Sequence, residues 1–250
     1  MDSATCLPII EAHRGASDEC PENTLSAFRR AVELGAASIE LDIHETKDGE
    51  LVVMHDETVE RTTRGKGRLA ALTLAELRNL DCGAWKHARF AGERIPTLAE
   101  ALELGRVHGV RFNVEVKAFS SPRAAERLVG LLREYAPAGG GTHVVSSFQV
   151  DALLQVRRAD AAVPLAMLGN FPAILDAARH HGFPWIHGAW RGVSPAVVEA
   201  AHAAAVQVMI WTLDEPGLLA YYAGMGVDKV CTNRPRLMLA EADVLAALLP

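Results

Sequence analysis

A closed (β/α)8 TIM barrel is the fold this 250-residue sequence predicts, on three observations. Eight short runs rich in Val and Ile alternate with stretches whose apolar residues recur at three and four, the pattern of a parallel sheet with crossover helices. Half of the residues are apolar, enough for one sizeable core. No GxGxxG follows the first run, which argues against the open doubly wound sheet as the alternative.

The eight runs are LPIIEA (7–12), ASIELDI (37–43), VRFNVEV (110–116), THVVSS (142–147), VPLAML (163–168), FPWIHG (183–188), VQVMIW (206–211) and DKVCT (228–232). Helix starts are marked between them. Thr73-x-x-Glu76 and Thr97-x-x-Glu100 fit the capping box, while Ser121-Pro122 and Ser194-Pro195 fit an N-cap followed by proline in the first turn. One segment breaks the alternation: HETKDGELVVMHD follows the second run at once, with Asp48-Gly49 as a tight turn and an apolar strand returning. No crossover helix fits, so this reads as a hairpin on the second strand and not as a ninth barrel strand. Residues 57–95 are polar with one short helix after Thr73, and read as a small insertion within a single 1–250 domain. The tail RLMLAEADVLAALLP reads as the last packing helix and not as a membrane anchor.

The formal net charge is −6 with both signs interspersed, which excludes a basic nucleic-acid or membrane-binding stripe. The N-terminus has no basic segment before a long apolar stretch, and no run approaches the ~18 apolar residues of a membrane span. A cytoplasmic protein without stable membrane anchoring is expected. The four cysteines, Cys6, Cys20, Cys82 and Cys231, have no CxxC spacing and read as reduced thiols.

A barrel of this kind presents its reactive groups at the C-terminal ends of the strands. The first run ends in His13-Arg14-Gly15. Glu40 and Asp42 are two apart in the second, so both carboxylates share one face, and Asn113-x-Glu115-x-Lys117 repeats the device in the third. The hairpin returns His55-Asp56 to the same end. Three carboxylates at one mouth repel unless a cation joins them, and an all-oxygen set favours one divalent ion such as Mg2+ or Ca2+, with Mn2+ possible, over zinc. Arg14 and Lys117 add positive charge suited to phosphate oxygens, and His13 and His55 can exchange protons near neutral pH. These groups together describe a phosphoester-cleaving site.

In order, His13-Arg14-Gly15, Pro21-Glu22-Asn23-Thr24, Glu40-Leu41-Asp42, Thr46-Lys47-Asp48-Gly49, His55-Asp56, RTTRGKG (61–67), FAGERIPTL (90–98), Asn113-x-Glu115-x-Lys117, Ser147-Phe148 and Trp211-Thr212 resemble the motifs of the glycerophosphodiester phosphodiesterase family. The resemblance runs from about residue 9 to residue 235. It implies a TIM barrel with an insertion after the second strand, and metal-dependent hydrolysis of glycerophosphodiesters to sn-glycerol 3-phosphate and an alcohol. It implies that Glu40, Asp42 and Glu115 hold the metal, that His13 and His55 are the acid/base pair, and that Arg14 and Lys117 bind the phosphate. Phe148 and Trp211 are read as pocket walls, with Trp190 beside them. Glu22 and Asn23 are expected to support the first turn and cap the first helix, with Asn113 supporting the site from behind. Cys20 is expected beside the site, and Asn233 stands where the family more often has aspartate, leaving one supporting contact in question. The RTTRGKG stretch reads as a solvated turn, and the other histidines as mostly surface residues. Competing readings are a lysophospholipase D or cyclising phospholipase on the same barrel, and a non-catalytic phosphate-ligand binding protein. Neither oligomeric state nor the division of labour between the histidines follows from the sequence.

Overall fold

The computed structural model describes residues 7–119 and 122–248. Its strands are β1 (Ile9–Ala12), β2 (Ser38–Glu45), β3 (Leu51–Val53), β4 (Arg111–Val116), β5 (Val144–Ser147), β6 (Leu165–Gly169), β7 (Trp185–Ala189), β8 (Gln207–Trp211) and β9 (Lys229–Thr232). The helices are α1 (Leu25–Glu33), α2 (Leu74–Leu77), α3 (Leu98–His108), α4 (Pro122–Glu134), α5 (Val150–Ala159), α6 (Ala173–His181), α7 (Pro195–His202), α8 (Leu219–Met225) and α9 (Pro235–Leu248). All strands but β3 pair in parallel around a ring, and β1 closes it by pairing with both β9 and β2. The chain is a TIM barrel. β3 lies antiparallel on β2, with Ile43 opposite Val53, so the returning apolar segment is a hairpin arm outside the ring.

Local chemistry explains most boundaries. Thr73 and Thr97 form complete capping boxes with Glu76 and Glu100, and Ser194 accepts from the Val197 amide with Pro195 in the first turn. The same signal at Ser121-Pro122 lies outside the described residues. Helix α1 departs from expectation at its cap: Thr24 accepts from the Ala27 amide, which leaves Glu22 and Asn23 free for other partners.

Period-two alternation sorts the sheet. Ile39, Leu41 and Ile43 of β2 join the core between sheet and helices, with Phe28 meeting Phe112 edge-on at 5.5 Å. Ser38, Glu40 and Asp42 turn to the barrel interior, where Ala166, Trp185, Met209 and Cys231 form a small apolar plug. Deep in the barrel, Lys229 pairs with Glu11 at 2.8 Å, and Ser38 and Asn113 donate to the same carboxylate at 2.5 and 3.0 Å. The segment after β3 closes around a separate apolar cluster that includes Val52, Met54, Leu69, Leu77, Cys82 and Ile95. Among the described residues, no helix is long and apolar enough to cross a membrane.

Candidate active site

Parallel register builds the acidic centre. Glu40 stands opposite Asn113 and Asp42 opposite Glu115, so β2 and β4 present their carboxylates side by side. One oxygen from each of Glu40, Asp42 and Glu115 lies within 4.8 Å of the others, and all three residues are buried. Burial first, and then the charges of Asp42 and Glu115, push the Glu40 carboxyl well above the usual carboxylate range. Burial opposes ionisation of Asp42 too, yet Lys117 and Arg14 outweigh it and hold that carboxyl below its ordinary value. Lys117 Nζ forms an ion pair with Asp42 Oδ1 at 2.6 Å and also contacts Glu115.

The turn after β1 carries the next groups. Arg14 and Gly15 both have positive φ, 56° and 81°, and the glycine lies against α1 so closely that a Cβ would come within 2.7 Å of Ala27. The Arg14 amide donates to Glu40 Oε2 at 3.0 Å, its Nη1 donates to Glu22 at 2.8 Å, and its Nε sits 3.3 Å from Asp42. Asn23 Nδ2 donates to Asp42 Oδ2 at 2.8 Å. Glu22 and Asn23 thus hold the turn and the acidic centre, and leave the capping to Thr24.

Both histidines are fixed at Nδ1. His13 Nδ1 donates to Asn233 Oδ1 at 2.7 Å, while Asn233 Nδ2 donates to Asp214 at 2.7 Å. Because a carboxylate only accepts, the amide orientation is set, and His13 carries its proton on Nδ1 and leaves Nε2 open. Nε2 is 3.9 Å from Glu40. Burial, then the Arg14 charge, lowers the His13 pKa and keeps the ring neutral near pH 7. The contact left in question by asparagine at 233 is therefore made, with a neutral partner. His55 Nδ1 meets Asp56 Oδ1 at 2.6 Å.

A cleft of about 160 Å3 joins these groups: His13, Arg14, Glu40, His55, Asn113, Glu115 and Lys117 line it, with Phe148, Trp211 and Cys231 on its apolar side. Phe148 is half-exposed and meets Trp211 edge-on at 5.9 Å. The buried Trp211 indole nitrogen has no partner among the described residues. Trp190 does not line the cleft; its ring packs on Tyr222. Cys20 does not line it either, because the turn buries it below the surface, and Cys231 is the thiol that does.

Several contributors were not foreseen. Asp214 lies in a loop with no motif around it. Glu11 and Lys229 were hidden inside apolar runs. His187 and His143 are buried rather than on the surface, and His187, inside the barrel, has its pKa lowered by burial to about 3. Within the RTTRGKG stretch Arg64 and Lys66 are exposed, as in a solvated turn, while Thr62 and Thr63 are buried and Arg61 binds Asp56 and Glu22.

A model of the glycerophosphoryl diester phosphodiesterase family matches residues 13–237. The glycerophosphodiester phosphodiesterase of Caldanaerobacter subterraneus subsp. tengcongensis is 36% identical over 236 residues, covering 92% of this chain and 96% of the relative. Among solved structures, an Oleispira antarctica phosphodiesterase in complex with the product sn-glycerol-3-phosphate is 29% identical, with a TM-score of 0.89 over 95% of this chain and 97% of that one. The glycerophosphodiester phosphodiesterase of Agrobacterium tumefaciens is 28% identical, with a TM-score of 0.80 over 94% of this chain and 100% of that one. With the family's model spanning the barrel from the first histidine almost to the end, the chain belongs to the glycerophosphoryl diester phosphodiesterase family and is a phosphodiesterase of that class.

Proposed function

We propose that the chain hydrolyses glycerophosphodiesters such as glycerophosphocholine and glycerophosphoethanolamine to sn-glycerol 3-phosphate and an alcohol, with one divalent cation and His13 and His55 as the proton-transfer pair. The observation that carries this reading is the single cleft lined by two oriented imidazoles, two cations and the carboxylates of Glu40 and Glu115, with Asp42 buried against them. The product seen with the Oleispira relative supports the choice of substrate.

The donor set fits a cation. Glu40, Asp42 and Glu115 offer hard oxygens only, and Glu40 Oε1 is buried without a hydrogen-bond donor among the described residues. Mg2+, Ca2+ or Mn2+ held there would supply charge stabilisation for the nonbridging phosphate oxygens. Arg14 and Lys117 bind and orient the phosphate. Neutral His13, with Nε2 open, takes the proton from the attacking hydroxyl, whether of water or of the substrate's glycerol. His55 delivers a proton to the departing alkoxide, and Asp56 balances the charge on its ring. Phe148 and Trp211 wall the glycerol end, with the unpartnered indole N–H as a donor to it.

A second cleft of about 220 Å3 meets the first at Lys117 and has Glu45, Glu57 and Phe119 among its walls. We assign the alcohol half of the substrate to it, where Phe119 offers an aromatic face to a cationic headgroup and Glu57 is paired with Arg68 at 2.7 Å. Residues 57–95 form one wall of that cleft through Glu57 and Arg68, and act as an insertion within a single domain. The test is glycerol 3-phosphate release from both diesters after chelation and after return of each metal. Metal-dependent release supports the assignment. Activity confined to lysophospholipids, or a cyclic phosphate as final product, replaces it with one of the competing phospholipase readings.

A further inference from the structure

Two parts of the active site have no strand in common. Arg14 follows β1, whereas His55 arrives on the hairpin arm. Between them lies the Arg61 guanidinium. It donates from Nε and Nη2 to Asp56 at 2.5 and 3.1 Å, and from Nη1 and Nη2 to Glu22 at 2.9 and 2.8 Å. Asp56 is the partner of His55 Nδ1 at 2.6 Å, and Glu22 the partner of Arg14 Nη1 at 2.8 Å. One planar group thus fixes both oxygens of the carboxylate that orients the histidine and both oxygens of the carboxylate that orients the arginine.

We propose that Arg61 is a positioning residue that sets His55 through Asp56 and couples it to the Arg14 turn through Glu22. The proposal rests on the reading of His55 as a proton-transfer residue. Its geometry has a chemical reason. A guanidinium presents five donors in a rigid fork, so it can serve two carboxylates at fixed angles, while an ammonium is a point charge that satisfies one at a time. The arrangement contributes little stability, because Arg61 is 44% exposed and surface ion pairs are weak. What it supplies is orientation. Without it, Asp56 keeps only its contact to a ring that is itself mobile about two torsions, and the carboxylate is free to swing toward water. Asp56 is held at a pKa of about 2, first by its hydrogen bond from Arg61, which keeps it an acceptor throughout the working range of the enzyme.

The experiment compares Arg61→Ala, Arg61→Lys, Asp56→Asn and the double variant Arg61→Ala/Asp56→Asn with the unmodified enzyme and with His55→Ala, measuring kcat, KM and thermal unfolding. Arg61→Ala should lose roughly 10–100-fold in kcat with KM nearly unchanged, since Arg14 and Lys117 keep the phosphate contacts. Arg61→Lys should recover only part. The double variant should lose no more than the worse single one, because the two residues act through one contact chain. Millimolar guanidinium added to Arg61→Ala should restore part of kcat, and urea at the same concentration should not. The proposal is overturned if Arg61→Ala keeps kcat within twofold while His55→Ala is inactive. It is equally overturned if the losses of Arg61→Ala and Asp56→Asn multiply, or if the lost kcat tracks a lowered unfolding temperature and guanidinium restores none of it. An active His55→Ala enzyme instead removes the underlying reading of His55, a result separable from those on Arg61.

Discussion

Replacing Lys229 by methionine takes one charge out of the barrel and leaves its partner behind. Glu11 is 0% exposed and Lys229 5%, and the pair is 2.8 Å apart with Ser38 and Asn113 donating to the same carboxylate. Burial alone would raise the Glu11 pKa; Lys229 outweighs it and holds the carboxyl below its ordinary value. A depressed folded-state pKa contributes stability above the unfolded pKa of about 4.3, and that contribution is lost as pH falls through the folded value. Without the ammonium, burial is opposed mainly by the two neutral donors and the folded pKa rises above the unfolded one. The sign then inverts: the contribution is greatest when Glu11 is protonated and is lost as pH rises. Breaking a buried pair costs about 3–5 kcal/mol, which at about 2–4 °C per kcal/mol for a chain of this size lowers Tm by roughly 6–20 °C at pH 7. The deficit relative to the unmodified protein should shrink as pH is lowered toward 5, by up to about 1.4 kcal/mol per unit. Urea unfolding at a series of pH values reads both quantities, and Glu11→Gln/Lys229→Met, with no ionisable member, should show a deficit that does not change with pH. A Lys229→Met deficit below about 1 kcal/mol at pH 7, or one that grows as the solution is acidified, would refute this account of the buried pair.

Alanine at His13 or His55 should cost roughly 10²–10⁴ in kcat, and near-normal turnover in both variants would remove the acid/base assignment. Mg2+ or Ca2+ should raise the thermal stability of the chelated protein by about 2.7 kcal/mol at a hundredfold excess over Kd, and Asp42→Asn should lose most of that response in scanning calorimetry; equal responses would place the ion elsewhere. Gly15→Ala should destabilise by roughly 2–4 kcal/mol, from about 1–2 for the left-handed backbone and a comparable amount for the crowding against Ala27, and should lower kcat with it because His13 and Arg14 share the turn. An alanine variant with unchanged stability would show that the turn yields.

The barrel was legible because a parallel strand covered on both faces is nearly continuous in apolar residues, and a hairpin without room for a helix announces itself by Asp48-Gly49. The acidic residues were legible because period two puts Glu40 with Asp42 and Glu115 with Lys117 on one face. The same emphasis on apolar runs concealed Glu11 and Lys229: a charge that finds its partner 218 residues away leaves no local signal. Asp214 and Arg61 were missed for a related reason, since each acts on a neighbour that acts on the site. His187 was misjudged because its exposure depends on which strand residues face the interior, and the alternation along β7 could have found it.

The hairpin arm has an energetic consequence for the enzyme as a whole. His55, Asp56 and Arg61 belong to a region closed by its own apolar cluster, while His13 and the acidic centre are built into the ring. Cooperative openings in a protein follow such packing units and span free energies from near zero up to that of global unfolding. If His55 is the proton-transfer residue proposed above, activity requires the arm's apolar cluster and the ring to be closed together, so an opening of the arm alone should stop turnover while the ring remains intact. Heating should abolish catalysis reversibly below the temperature at which the barrel melts, and amide hydrogens around Val52 and Leu77 should exchange faster than those of β2 and β4.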